Sequence, residues 1–279
     1  MKVKLGKIME LVAVYAVFLI VFIFFASPLV WLILSAFDPK ATSAFKVPKE
    51  LTFKNFGELL VPVGAIPPLT WIINSIIISV STATLVTILS VLGGYTLSRY
   101  KFRGQGAMLT TFVILRLVPT IVIALPIVTI FASIGWLNTL HAVILVLTAL
   151  ILPFALLIAD GYFKALPIEY EEAAMIDGCS RLGAFMRVTL PLALPGIVTI
   201  WLIAFVTAWG EFLVPFVILP TAVDQYPASV GIYYWFGVYG RIEYGRISAF
   251  SLVYSIPVII TFLSVQKYLR KGIAGLVMR

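Results

Sequence analysis

Apolar positions along the chain gather into six long runs, and most of the charge falls in the gaps between them. A helix rises about 1.5 Å per residue and the hydrocarbon core of a bilayer is about 30 Å thick, so roughly 20 consecutive apolar residues cross it. The qualifying runs lie at 11–37, 69–98, 107–134, 139–159, 192–219 and 247–268. They predict an all-α fold, a polytopic membrane helical bundle of about six transmembrane helices, read as a single transmembrane domain over 1–279. The first run follows Lys2, Lys4 and Lys7, as the core of a signal peptide would. Leu11 to Phe37 is, however, 27 residues without a charge, whereas a signal core is about 7–15 residues long. It reads as a retained first span.

Composition agrees with a bilayer as solvent. The chain is 62% hydrophobic and 11% charged, with a mean hydropathy of +1.10, where soluble chains carry about 25% charge. Its net charge of +8 is spread over short clusters between the apolar runs rather than one stripe, so a nucleic-acid partner is not expected. With the N-terminus inside, the inner loops and ends hold thirteen Lys and Arg and the outer loops six. That asymmetry places both termini in the cytoplasm and the chain in the cell membrane. Cys179 and His141 stand alone, which excludes an internal disulfide, a Cys/His metal site, and a nucleophile with its base. No catalytic residue and no metal site is expected.

Inside the runs, Pro28, Pro119, Pro126, Pro153, Pro195, Pro215 and Pro257 remove backbone donors and kink helices. In the second run Ser75, Ser79, Ala83 and Thr87 recur every four residues. This is a helix-packing stripe first and a pore lining second.

Four of the twelve acidic residues, Glu169, Glu171, Glu172 and Asp177, fall within nine positions of the longest inner loop, 161–191. Pro167 suits a first helical position, the glutamates suit the positive end of a helix dipole, and Gly178 suits its stop. Ser180 can cap a second short helix in which Leu182, Phe185, Met186 and Thr189 share a face, with Pro191 closing the unit. The loop is thus a pair of short helices between spans four and five. Ile168, Met175 and Ile176 fall on one side of the first helix with Glu172 among them. A carboxylate on an apolar face requires a cation, and the helix itself supplies none. Another protein is the simplest source.

"EEAAMIDGCSRLGAFMRVTLP" resembles the cytoplasmic signature of permease subunits of ATP-binding-cassette importers: Glu172-Ala173-Ala174, then Gly178, Val188 and Leu190-Pro191 at the family's spacing. The likeness extends through "YTLSRYKFRGQ", "GWLNTLHAVIL", "WGEFLVPFVIL" and "SIPVIITFLSVQKYLRKGIAG", and is to the smaller six-span permease of carbohydrate importers of the maltose/trehalose type. The resemblance implies that the loop is the coupling helix seated in an ATPase cleft, with Glu172 pairing with an arginine there and Gly178 supplying the bend. Glu171, Ala173, Ala174, Leu182, Phe185 and Pro191 complete the candidate ATPase contact. It implies a second permease subunit in a heterodimer, two ATP-binding subunits and an extracytoplasmic sugar-binding protein. ATP and Mg would be bound by the partner ATPases and no cofactor by this chain, which has no Gly-x-x-x-x-Gly-Lys-Ser/Thr phosphate loop of its own. Gly210 departs from the family's usual Trp-Asn-Glu-Phe, and the tail Leu276 to Arg279 departs from its usual ending.

Arg116 and Glu211 are the two charges well inside runs, away from their ends, each costing about 2.5 to 3.5 kcal/mol near a bilayer centre. They pair with each other across a kink, or Glu211 accepts hydroxyls on the sugar path, or each locks helices separately. With Trp209 and Ser79 they form the candidate translocation path. The aromatics between Thr221 and Gly245 read as an interfacial belt. The Asp38 to Pro68 segment reads as an outer connector and a candidate contact for the binding protein. The alternative class is a secondary ion-coupled transporter, which would show inverted repeats and would not need a structured inner loop.

Overall fold

Pro28, Pro126, Pro153, Pro195 and Pro257 lie inside helices, whereas Pro119 separates two of them. The structure, a computed structural model, describes residues 2–64, 66–239 and 242–277, with side-chain surroundings for 7–64, 66–235 and 242–266. In chain order the helices are α1 (Lys2–Ala36), α2 (Lys54–Gly57), α3 (Pro68–Arg99), α4 (Gln105–Leu115), α5 (Thr120–Ser133) and α6 (Leu140–Ala165). They continue with α7 (Glu169–Ile176), α8 (Arg181–Ala184), α9 (Leu190–Gly210), α10 (Leu213–Ile218), α11 (Ala228–Tyr239) and α12 (Tyr244–Val277). Among the described residues five helices are long and apolar enough to cross a membrane. A sixth crossing is made only if α4 and α5 are counted together, and these are bent by 98°.

That break falls at Pro119, one of the prolines expected to kink the run 107–134, and is sharper than a kink. Pro119 has no amide hydrogen to donate, and its ring disfavours a helical Val118. Helix α4 therefore ends at Leu115, and Pro119, at φ −63° and ψ 135°, starts α5 in a new direction. The run 192–219 is likewise two helices, because Glu211 turns extended at φ −72° and ψ 129° and ends α9. Among the described residues between Thr221 and Gly245, Ala228–Tyr239 form α11.

Packing divides the chain into two compact units: Met1–Pro68 with Phe236–Ser255, and Leu69–Trp235 with Ile256–Arg279. In the first, Phe37 packs with Phe53 and Phe56 at ring distances of 5.3 and 5.0 Å. Asn55 is buried and donates to the carbonyls of Ala36 and Asp38 at 2.9 and 3.1 Å. Arg246 forms ion pairs with Glu58 and Glu243.

In the second unit α6 packs on α9 and α4, and α10 packs on α5 and α6. The small stripe of α3 is inside, as expected: Ser75, Ser79, Ala83 and Thr87 are all buried. Large apolar side chains take the other side, with Ile73, Ile76, Ile77, Val80 and Leu92 exposed. This is the arrangement a membrane helix adopts when close packing rather than water exclusion drives association. Polar side chains near the start of α3 hold the segment before α11. Trp71 Nε1 donates to the Val223 carbonyl at 3.0 Å, Asn74 Nδ2 to those of Asp224 and Tyr226 at 2.7 and 3.0 Å, and Ser75 Oγ accepts from Ala228 N at 2.8 Å. Trp71 also meets Tyr234 and Trp235 at 6.2 and 6.3 Å, and Trp235 is buried. These aromatics form a packed cluster in this chain.

Candidate functional site: the helix pair between α6 and α9

The α7–α8 corner forms as its sequence requires. Helix α7 carries Glu169, Glu171 and Glu172 in its first turn, where carboxylates complement the helix dipole. It begins at Glu169, two residues after Pro167. Its end is a Schellman motif: Cys179 N donates to the Ala174 carbonyl at 3.0 Å and Gly178 N to that of Met175 at 3.1 Å. Gly178 sits at φ +93°, a left-handed conformation that strains any residue with a Cβ. Ser180 Oγ then accepts from Gly183 N at 3.1 Å and caps α8.

Beyond α8 the expected single face is not formed. Residues Phe185–Thr189 make a π-helical turn that runs directly into α9. Leu182 and Met186 face outward, 71% and 53% exposed, while Phe185 and Thr189 are buried. An aromatic pocket is the reason: the Phe185 ring lies 4.4 Å from Tyr95 and 6.5 Å from Phe163. Burying a phenylalanine side chain is worth roughly 1.5–3 kcal/mol, enough to set the rotation of this turn. Pro191 does not close the unit. It lies inside the continuous helical path Arg181–Gly210, two residues past the π-helical turn, where its missing amide hydrogen forfeits one helical bond.

The two adjacent glutamates point in opposite directions. Glu171 is buried and accepts from Arg99 at 2.8 Å (Nε) and 2.7 Å (Nη2), and from the Tyr95 hydroxyl at 2.9 Å. Arg99 also donates to the carbonyls of Phe163 and Leu166 at 3.0 and 3.2 Å. Glu172 and Ala173 are exposed and Ala174 is half-buried. Among the described residues no cation meets Glu172. Around it lie Ile168, 44% exposed, and Ile176, 86% exposed. Sequence reasoning grouped Glu171 with Glu172 as partner-facing and missed Arg99 and Tyr95 altogether. The signal available was Arg99 in the last turn of α3, a basic residue beside an acidic loop. Arg181 adds a second tie to the α3 end, donating to the Tyr100 hydroxyl at 3.2 Å.

The residues proposed for a path are not brought together. Arg116 lies at the break after α4, with its guanidinium carbon 3.5 Å from the centre of the Phe154 ring. This is cation–π geometry. Both line a cavity of ≈ 290 Å³ with Pro153, Ile203 and Thr207. Glu211 instead caps α10, its Oε1 accepting from Leu213 N and Val214 N at 3.0 and 3.2 Å. Two backbone donors at a helix start satisfy this carboxylate, so its place in an apolar run needs no cationic partner. Ser79 and Trp209 are buried. The C-terminal residues Met278 and Arg279, the end of the tail that departs from the family's usual ending, lie outside the described residues.

Residues 87–275 match the family of the binding-protein-dependent transport system inner membrane component, a stretch that contains the whole α7–α8 corner. The chain belongs to that family. Among its relatives, the trehalose/maltose transport system permease protein MalG of Thermococcus litoralis is 34% identical over 254 residues, 89% of each chain. The diacetylchitobiose uptake system permease protein DasC of Streptomyces coelicolor is 30% identical over 264 residues, 92% of each. In fold, this inner membrane component resembles a chain of a bacterial ABC transporter involved in import of the acidic polysaccharide alginate. The TM-score is 0.75 at 21% identity, covering 94% of this chain and 97% of that one. The membrane-spanning helices and the transport family therefore agree.

Proposed function

We propose that this chain is the smaller permease subunit of an ABC importer that admits an oligosaccharide of the maltose or trehalose type. It works by alternating access, and partner ATPases supply the energy. The observation that carries this reading is the two-sided α7–α8 corner. One side is locked to α3 and α6 through Glu171 and Phe185. The other presents Ile176, Leu182 and Met186 to a partner, with Glu172 as the charge that would meet an arginine. A rigid element attached by chain to α6 and α9 passes the closing motion of two ATPases into the span bundle. ATP and Mg belong to those ATPases in this scheme, and the permease does no chemistry. The relatives named for trehalose, maltose and diacetylchitobiose uptake support an oligosaccharide as cargo. The exposed apolar sides of α1 and α5 suit lipid and a second permease subunit.

The test is purification of the assembled complex, identification of the chains that accompany this one, and uptake into vesicles with a sugar-binding protein present. Uptake that requires ATP and a separate ATPase chain supports the proposal. Uptake driven by an ion gradient without ATP overturns it.

A further inference from the structure

Helices α6 and α9 are joined to the corner by the chain itself, and α3 is not. Helix α3 packs on α6 at Gly94, but among the described residues its direct hold on the corner is through side chains, chiefly one buried group. The Arg99–Glu171 pair is nearly closed to solvent, with side chains 9% and 7% exposed. Arg99, the last residue of α3, holds α7 through Glu171 and the end of α6 through the Phe163 and Leu166 carbonyls. Tyr95, one turn earlier, donates to the other oxygen of Glu171 and packs edge-on against Phe163 and tilted against Phe185. Three separate stretches of chain, the end of α6, α7 and the turn after α8, therefore converge on two side chains of α3.

We propose that Arg99 and Tyr95 are positioning residues that make α3 travel with the α7–α8 corner, so that ATPase motion reaches three spans rather than two. Glu171 is the inward latch of this device and Glu172 the outward contact. A buried pair held by a fork of two donors to one carboxylate oxygen is costly to open, so it stays closed while the corner moves, and α3 moves with it. Coupling of this kind is a property of two states and the element they share.

This inference rests on the proposed ATPase partnership, so the experiment separates the two. The complex is purified with wild-type chain, with Tyr95→Phe, with Arg99→Lys and with the double variant Arg99→Gln/Glu171→Gln. Each is assayed for the ATPase chains it retains and for ATP hydrolysed per sugar transported. The double variant removes both buried charges together and so keeps the corner packed. The expected result is ATPase retained at wild-type stoichiometry in all four, with the ATP consumed per sugar raised on the order of tenfold in the double variant, within the usual span of intersite coupling. Tyr95→Phe and Arg99→Lys should lie between. An unchanged ratio in the double variant overturns the latch while leaving the transport proposal standing. Loss of ATPase in proportion to loss of uptake overturns it too, since it would show a purely architectural pair. Absence of any ATPase from the wild-type complex would instead sink the parent proposal.

Discussion

Gly94 of α3 lies against Ala159 of α6 so closely that a Cβ at position 94 would stand 2.4 Å from the Ala159 Cβ and 2.9 Å from the backbone of Ala159 and Asp160. The obstacle is backbone, which cannot swing aside as a side-chain tip could. Gly93 beside it meets only the Leu156 side chain, at 2.5 Å. The second and fourth spans therefore touch at a point that requires a glycine, close to where Arg99 ties the same helices to the corner.

Substitution at that crossing should be felt at once. Gly94→Val is expected to destabilise the chain by about 1–3 kcal/mol, the usual range for overpacking. Gly106→Ala in α4, where a Cβ meets nothing within 4 Å, should be neutral or slightly stabilising. Thermal unfolding of the two variants in one detergent checks both, and an equal melting temperature would show that α3 and α6 are not in contact there.

The adjacent glutamates should separate in behaviour. Glu172→Lys changes an exposed residue and should leave the melting temperature within the roughly 0.5 kcal/mol scatter of surface changes. It should nonetheless abolish ATPase association and uptake. Glu171→Ala strands the buried Arg99 guanidinium and should destabilise by about 3–5 kcal/mol. Normal uptake by the Glu172→Lys chain would count directly against the docking face.

Much of this was legible in the sequence, and the reason is the solvent. A bilayer demands long uninterrupted apolar runs, so spans at 69–98 and 247–268 could be located by hydropathy, and the Gly178 stop and Ser180 cap by local chemistry. Direction was harder to read. The 98° turn between α4 and α5 depends on how Pro119 re-aims the chain, which periodicity does not encode. Glu171 and Glu172 are the same residue type one position apart, and only the neighbouring α3 end tells them apart. The Tyr95 pocket that turns Phe185 inward lies 90 residues away along the chain, beyond the reach of any local pattern.

Arg116 and Glu211 should act independently. One stacks on Phe154 and the other caps α10, and they share no partner. The effects of Arg116→Glu and Glu211→Arg on stability should therefore add to within about 0.5 kcal/mol in the double variant, as for separate sites. Thermal unfolding of the four chains of the cycle gives the answer, and rescue in the double charge reversal would establish a direct pair instead.

The turn that follows α1 should respond to acid through Asp38. Burial pushes its carboxyl pKa up, but a hydrogen bond from Lys40 N at 2.8 Å and the Lys46 ammonium at 3.0 Å outweigh that, so the net direction is below the ordinary value of 3.8. A carboxylate whose folded pKa is depressed contributes stability that is fully present above the unfolded value and is lost as pH falls through the folded one. From pH 5 to 8 this residue should leave the turn indifferent to pH, and below about 3.8 the turn should loosen. Asp38→Asn should abolish that acid response, whereas Asn55→Ala, which frees the Ala36 and Asp38 carbonyls, should loosen the same segment at every pH. Fluorescence from a probe attached to the segment, followed from pH 6 to pH 3, distinguishes the two. An acid transition that persists unchanged in Asp38→Asn would assign it to another carboxylate.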